Sequence, residues 1–162
     1  MPTGSISTCT KLNKKFNLDK DAVDNFGQSV LHYAAAKGET EILETLVNMG
    51  AKLDCKDNFG RNIITHAAMH GQTDALRWLL NADGIVLELL NSVDKIGNSA
   101  LHWAVVKGSS DSALLLISKG IDMHAKVRGA KTAEMLARKN GKERLAEQMR
   151  TYSIHGANFM YT

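Results

Sequence analysis

The chain contains little cysteine, little proline and no long hydrophobic run. Among its 162 residues there are two cysteines and one proline, and Cys9 and Cys55 lie too far apart in sequence to form a C-x-x-C motif. Isolated cysteines of this kind do not build a disulfide framework and are typical of free thiols in a reducing compartment. We therefore expect a cytoplasmic or nuclear protein.

The hydrophobic pattern gives no indication of a membrane segment. Residues 1–5 lack the charged and apolar regions of a signal peptide. No run approaches the roughly 18 consecutive apolar residues that a membrane span needs. We expect no direct insertion into a membrane.

Neither sign of charge dominates the composition. The chain has 20 Lys and Arg residues against 17 Asp and Glu residues, and its net charge is +3. This mild basic bias is that of a solvated surface and does not require nucleic acid as a partner. A hydrophobic fraction of 44% is sufficient for one continuous core. The length favours a single domain, which we expect to be monomeric by itself.

A D-x-x-G tetrapeptide opens three tandem copies of one sequence pattern, at residues 24–27, 57–60 and 94–97. Aspartate at its first position and glycine at its fourth favour a type I turn. Each copy continues with a residue suited to cap a helix and, farther on, with a glycine suited to end that helix. These residues are Ser29, Asn62 and Ser99, followed by Gly38, Gly71 and Gly108.

A second amphipathic helix is predicted after each of these glycines. Its apolar positions include Leu43, Leu79 and Leu116, and a helix pair of this size buries such a stripe only by stacking on the next pair. A degenerate fourth copy, with Thr132 and Gly141 in register, is predicted to cap the stack. A short apolar insertion at residues 83–91 is predicted to form an extra helical turn.

The combined pattern resembles the ankyrin repeat over residues 24–150, through its 33-residue period and its T-P-L-H-x-A motif. The Leu-His pair stands at Leu31-His32 and Leu101-His102, whereas Thr65 replaces the motif histidine in the second copy. Proline is missing from each motif position, which is occupied by Val30, Ile63, Ala100 and Ala133. The resemblance implies an all-α repeat fold, an ankyrin solenoid of three full repeats plus degenerate capping repeats, with short β-hairpin tips.

The repeat boundaries follow from the positions of the turns. We predict an N-terminal capping segment at 1–23 and ankyrin repeats at 24–56, 57–93 and 94–126. The second of these repeats contains the insertion. A C-terminal capping repeat follows at 127–152, and the tail is 153–162.

The histidines do not indicate catalysis or metal binding. Helices in neighbouring repeats pack about 8 to 10 Å apart, so His32 and His102, which occupy equivalent positions two repeats apart, are expected to lie roughly 20 Å from each other. We predict that each instead bonds backbone groups between neighbouring hairpins. No nucleophile, phosphate-binding or metal-binding motif accompanies them. We predict no enzyme activity, no metal and no cofactor.

A basic cluster near the C-terminal cap is the strongest candidate for nucleic-acid binding. It comprises Lys126, Arg128, Lys131, Arg138, Lys139, Lys142, Arg144 and Arg150. The solvent-facing side of a cap is polar in any case, and Glu143 and Glu147 are well placed for pairing along their helix. Because exposed aromatic residues are not interleaved with these charges, stacking on bases is not indicated. We do not expect a nucleic-acid partner. The alternative for this cluster is a site for a phosphate group or an acidic partner, and salt is expected to weaken such binding steeply.

A partner protein is predicted to bind across the hairpin tips and the exposed side of the first helices. The tips place large apolar residues where a turn is ordinarily polar, and the variable position of the Leu-His-x-Ala motif is aromatic or imidazole. Aromatic anchors beside polar and cationic groups are typical of the centres of protein interfaces. The predicted contact residues are Asn25, Phe26, Gln28, Tyr33, Lys37, Asn58, Phe59, Arg61, His66, His70, Lys95, Ile96, Asn98, Trp103 and Lys107.

Two functions are compatible with this pattern. The first is a binding module that holds a partner protein on its concave face, as an adaptor or as an occluding inhibitor. The second is a substrate-recruiting or regulatory domain of a larger enzyme, because residues 94–105 resemble the ankyrin segment of DHHC palmitoyltransferases.

Overall fold

The computed structural model describes residues 19–85, 87–127, 129 and 131–155. Most of the predicted N-terminal capping segment, at 1–18, and most of the predicted tail, at 156–162, lie outside the described residues. Arg128 of the basic cluster lies outside them as well. The three predicted repeats and the greater part of the C-terminal cap are described.

The described residues form helices joined in pairs. The helices are α1 (Val30–Lys37), α2 (Thr40–Asn48), α3 (Ile63–His70), α4 (Thr73–Asn81), α5 (Leu87–Leu90), α6 (Ala100–Lys107), α7 (Ser110–Ser118), α8 (Ala133–Lys139) and α9 (Glu143–His155). Each predicted copy supplies one pair, namely α1 with α2, α3 with α4, α6 with α7, and α8 with α9. The short helix α5 lies in the insertion, which confirms the extra helical turn.

The helices stack in two layers. The first helices, α1, α3, α6 and α8, contact one another in chain order, and the second helices, α2, α4, α7 and α9, do the same behind them. The core lies between the layers and contains Ile64, Leu79, Leu101 and Leu116, each fully buried. The all-α repeat architecture predicted from the sequence is therefore confirmed.

Short antiparallel bridges close the hairpins, at Val23 with Ser29, Lys56 with Asn62, Val93 with Ser99, and Val127 with Lys131. The tips are also linked between repeats. The carbonyl of Phe26 accepts from the N–H of Asn58 at 2.8 Å, and the carbonyl of Phe59 accepts from the N–H of Lys95 at 2.9 Å. A Cβ at Gly27, where φ is +74°, would lie 2.9 Å from the amide nitrogen of Asn58. Glycine is required there both by the left-handed turn and by this close approach.

The motif histidines differ from the prediction in the bonds that they form. Nδ1 of His32 accepts from the N–H of Ser29, in its own repeat, at 3.0 Å, and Nδ1 of His102 contacts the N–H of Ser99 in the same way at 3.3 Å. Nε2 of both rings is buried without a hydrogen-bond partner among the described residues. Backbone groups of the following hairpin nevertheless act on each ring and raise its pKa against burial, those of Arg61 and Cys55 on His32 and those of Lys131 and Ala125 on His102. The difference from the prediction is the additional reciprocal cap that each histidine closes at the start of its own helix.

The second copy replaces this cap by a different one. Oδ1 of Asn62 accepts from both the N–H and the hydroxyl of Thr65, at 2.9 and 3.0 Å. The amide nitrogen of the Asn62 side chain is then free to donate to the carbonyl of Leu89, at 2.8 Å. Because Leu89 lies in α5, this exchange of Ser and His for Asn and Thr attaches the insertion to the repeat that contains it.

Leu79 provides a test of the core, because it is fully buried on α4 between two flanking repeats. We predict that Leu79→Ala lowers the free energy of unfolding by about 2 to 5 kcal/mol, through lost transfer energy and a residual cavity. Urea denaturation followed by circular dichroism measures the change. Arg77→Ala, at an exposed position on the same helix, is the matched control. Equal midpoints for Leu79→Ala and the unmodified chain would reject the core assignment.

Candidate functional site

The tip aspartates organise the three hairpins in the same way. Oδ1 of Asp57 accepts from the N–H groups of Phe59 and Arg61, both at 2.9 Å. Asp24 and Asp94 make the corresponding pairs of bonds, at 2.8 to 3.0 Å, to the amides two and four residues farther on. One carboxylate oxygen therefore satisfies the backbone of each turn. The side chain at the third turn position remains outside the core, and Phe26, Phe59 and Ile96 are 58%, 50% and 50% exposed.

The second oxygen of each aspartate bonds the variable residue of the first helix. The hydroxyl of Tyr33 donates to Asp24 at 2.7 Å, and the indole N–H of Trp103 donates to Asp94 at 2.9 Å. Nε2 of His66 lies 3.0 Å from Oδ2 of Asp57. The polar ends of these three side chains, termed the aromatic column, are thus bonded within the chain. What Tyr33 and Trp103 present to the surroundings is the remainder of each ring.

His66 does not belong to the exposed set. Tyr33 is 48% exposed, whereas His66 is only 3% exposed. The imidazole is shorter than a phenol or an indole, so bonding Asp57 draws it beneath the surface, where its ring packs edge to face on His32 at 4.9 Å. His66 therefore supports the surface from below and does not offer a contact to a partner.

Arg61 and Phe59 form the most ordered part of the surface. The Arg61 guanidinium contacts Oδ2 of Asp57 through Nη2 at 2.7 Å and through Nε at 2.8 Å. It lies 4.5 Å from the centroid of the Phe59 ring, within the range of a cation–π interaction. Burial opposes ionisation of Asp57, but the bonds from Arg61 and His66 outweigh it and hold the pKa of the carboxyl below its usual value. A buried charge thus fixes an exposed aromatic and its cation in place.

The polar residues at the tips have different roles. The side-chain amide of Asn58 donates to the carbonyl of Asn25 at 3.0 Å and so joins two tips. Asn25, Asn58 and Lys95 are exposed beside the apolar tip residues, whereas Gln28 and Asn98 are half-buried. The fold therefore brings together the tip residues that the sequence singled out.

Basic side chains occupy the last turns of the first helices. Lys37, His70 and Lys107 are exposed in the last turns of α1, α3 and α6, where positive charge complements the helix dipole. Partial burial lowers the pKa of His70, and the positive charges of Lys107, Arg61 and Lys37 lower it further. The basic side chains of three neighbouring repeats therefore lie close enough to influence the protonation of His70.

An aliphatic strip, which the sequence reasoning missed, lies between the aromatic column and these cations. It consists of Ala36, Met69 and Val106, each three residues after the variable position. Val106 is 53% exposed, and the Met69 sulfur lies 3.6 Å from Nη1 of Arg61. The regular spacing of these three residues is the signal in the sequence that could have identified the strip.

The basic cluster at the C-terminal cap is partly neutralised. Arg138 lies 3.1 Å from Glu134, 3.6 Å from Glu143 and 3.9 Å from Glu147. Glu143 and Glu147 thus pair with Arg138 on the preceding helix α8, whereas their spacing predicted pairing along their own helix. Screening by water makes each exposed pair weak, but together they reduce the local positive potential.

No group of three or more His, Cys, Asp and Glu side chains within the described ranges could hold a metal ion. None of the helices described above is long and apolar enough to cross a bilayer.

Cys55 is half-buried. Its sulfur lies 3.7 Å from the hydroxyl of Ser29, and burial raises the pKa of its thiol.

A stack of helix pairs with hairpin tips on one edge and a shared face along its first helices defines a class of helical repeat proteins. A family model described as "Ankyrin repeats (3 copies)" matches residues 3–87 and 50–127. The chain therefore belongs to the ankyrin-repeat family, whose repeats are generally protein–protein interaction modules. It is also 28% identical to the human neurogenic locus notch homolog protein 1 over 117 residues. That match covers 72% of this chain and 4% of the relative's length.

The buried His66 makes stability depend on pH. Burial lowers its pKa from 6.5 to about 4, although Asp57 opposes the shift. Between these values the unfolded chain binds a proton that the folded chain does not, so stability is complete above pH 6.5 and falls as the pH approaches 4. We predict a loss of up to about 3 kcal/mol from this group.

Urea denaturation at pH 7 and pH 4.5 measures this loss, and His66→Gln is the comparison, because glutamine can donate to Asp57 but does not titrate. His102, whose pKa burial also lowers, contributes equally to both chains. His32 packs on His66, so the variant also removes the repulsion between the two rings when both are charged, which acts in the same direction. The variant is expected to lose less stability on acidification. Equal losses in the two chains would show that His66 does not titrate as described.

Proposed function

We propose that this chain binds a partner protein across its hairpin tips and first helices, and that it acts as an adaptor or as an inhibitor that occludes its partner. The proposed contact set is Asn25, Phe26, Gln28, Tyr33, Lys37, Asn58, Phe59, Arg61, His70, Lys95, Ile96, Asn98, Trp103 and Lys107, with Met69 and Val106 added and His66 removed. The family to which the chain belongs supports a role in protein binding in general. The choice of face rests on its own geometry.

The observation that supports this face best is the ordered exposure of Phe59. Its ring is half exposed, yet the Arg61 guanidinium covers one side of it and is itself held by the buried carboxylate of Asp57. An aromatic and an arginine that are already positioned lose little conformational entropy on binding. Such residues are enriched among those that contribute most to interface affinity.

The chain's arrangement also supports binding without catalysis. The aspartates and the imidazole of His66 are engaged in bonds that build the hairpins, and the exposed groups are apolar rings, amides and cations. We propose that the chain is not an enzyme and uses no cofactor. Its isolated cysteines favour a cytoplasmic or nuclear location.

A second proposal is that the chain recruits substrates or regulates activity as part of a larger enzyme, such as a DHHC palmitoyltransferase. The similarity of residues 94–105 to the ankyrin segment of those enzymes favours it. Sequencing the full-length transcript tests this proposal. A reading frame that continues into membrane spans and a cysteine-rich zinc segment would support it, and a frame without them would reject it.

An alanine scan tests the proposed face. Against a partner recovered by affinity purification, we predict that at least one of Phe59→Ala, Trp103→Ala and Tyr33→Ala weakens binding by more than about 2 kcal/mol. The loss follows from removal of an aromatic anchor. Isothermal titration calorimetry measures the affinity, and thermal denaturation checks that each variant is folded.

Glu44→Ala and Arg77→Ala, on the second helices, are the controls and are expected to be neutral. If all three aromatic variants keep their affinity for the partner while these controls lose it, the interface lies on the other side of the stack.

A further inference from the structure

We infer that the partner segment held on this face is an acidic peptide with apolar side chains, lying across the first helices with its carboxylates toward their C-terminal ends. The inference rests on the proposed function and specifies the chemistry of the partner. It follows from how apolar, anionic and cationic groups are distributed over the face.

The apolar part of the face, termed the floor, consists of Met69, Trp103 and Val106. Met69 and Val106 lie on neighbouring helices that are in contact, α3 and α6, at equivalent positions. Trp103 lies one turn before Val106, with its N–H already bonded to Asp94. This floor offers few unpaired hydrogen-bonding groups, so it is suited to aliphatic or aromatic side chains.

The carboxylates of the face are already engaged in hydrogen bonds within the chain. Asp57 and Asp94 are buried, and each accepts bonds from its turn and from the variable residue of its helix. Asp24 is exposed but makes the same set of bonds, and the hydrogen bond from Tyr33 holds the pKa of its carboxyl low. These carboxylates therefore have little capacity left for cations of a partner.

The lysines of the face are free to bind carboxylates, and they are concentrated toward the C-terminal cap. Lys107 and Lys142 lie across the glycines that end the preceding helices. Lys107 has carbons 3.4 Å from where a Cβ of Gly71 would stand, and Nζ of Lys142 lies 3.0 Å from the equivalent point on Gly108. Both lysines are exposed and form no ion pair with any residue in the described ranges. Lys139, at the end of α8, adds a third exposed positive charge.

The N-terminal end of the stack carries a different charge from the C-terminal cap. The position of Lys142 is occupied in the earlier copies by Glu39, Gln72 and Ser109. At this position the side chain therefore changes from anionic in the first copy to cationic in the cap, where the nearby glutamates are paired with Arg138 and not with Lys142. The carboxylates of a bound segment are expected near Lys107 and Lys142. Charge complementarity of this kind fixes the orientation of a partner and increases its association rate.

Selection from a phage-displayed library of random dodecapeptides against the immobilised full chain tests the inference. Enriched peptides are expected to combine Asp or Glu with Leu, Phe or Trp. In fluorescence anisotropy with an enriched synthetic peptide, Lys107→Glu combined with Lys142→Glu is expected to weaken binding about tenfold or more, and added salt is expected to weaken it further. Replacing the peptide's acidic residues by lysine is expected to restore binding to this variant.

The matched control reverses two exposed charges on the second helices, Arg77→Glu combined with Arg150→Glu, which changes the net charge equally. It is expected to leave peptide affinity within about twofold of the unmodified chain, because these positions lie away from the face. Thermal denaturation checks that both double variants are folded.

Several outcomes would overturn the inference. Enrichment of basic or uncharged peptides, failure to enrich any peptide, or insensitivity to Lys107 and Lys142 would reject an acidic partner. If Phe59→Ala still weakens the selected peptides in those cases, the proposed binding face stands and only the partner chemistry is wrong. Displacement of the peptide by single-stranded oligothymidylate at lower concentration would identify a nucleic-acid surface instead.

Discussion

The rest of the surface depends on the aspartate that begins each hairpin. Its carboxylate divides its two oxygens between the backbone of the turn and the side chain of the first helix, as Asp57 does with Phe59, Arg61 and His66. A single side chain therefore fixes the orientation of a hairpin relative to a helix. Because burying the carboxylates of Asp57 and Asp94 is unfavourable unless their bonding capacity is met, the contacts of these two hairpins are expected to form together.

The bonds of the tip aspartates determine which groups are used within the fold and which remain exposed to a partner. Once Asp24, Asp57 and Asp94 have taken the polar ends of the variable residues, the surface keeps ring faces, an aliphatic strip and cations. The length of the variable side chain then decides its exposure, so Tyr33 remains half exposed and His66 is buried. The same bond thus produces different surfaces in different repeats. Variation at one position changes the binding face without changing the fold.

The sequence predicted the fold well because turn, cap and glycine recur at fixed offsets, and each has a local physical cause. It predicted the tip residues for the same reason. It could not predict the burial of His66 or the stacking of Arg61 on Phe59, because both depend on distances between side chains of neighbouring elements. Met69 and Val106 were missed for another reason, since aliphatic residues at helical spacing are assigned to a core unless exposure is known.

The second repeat is where stability and surface are most closely connected. Asp57 holds Arg61 beside the exposed Phe59, and it also bonds the buried His66, whose ring packs on His32 of the first repeat. Asn62 attaches this repeat to the insertion helix on its other side. A change at Asp57 therefore affects the position of an exposed aromatic, the contact with the preceding repeat and the pKa of a buried imidazole together. The centre of the stack is consequently the part of the binding face least able to rearrange on binding, whereas the exposed lysines toward the C-terminal cap are free to adapt their side chains.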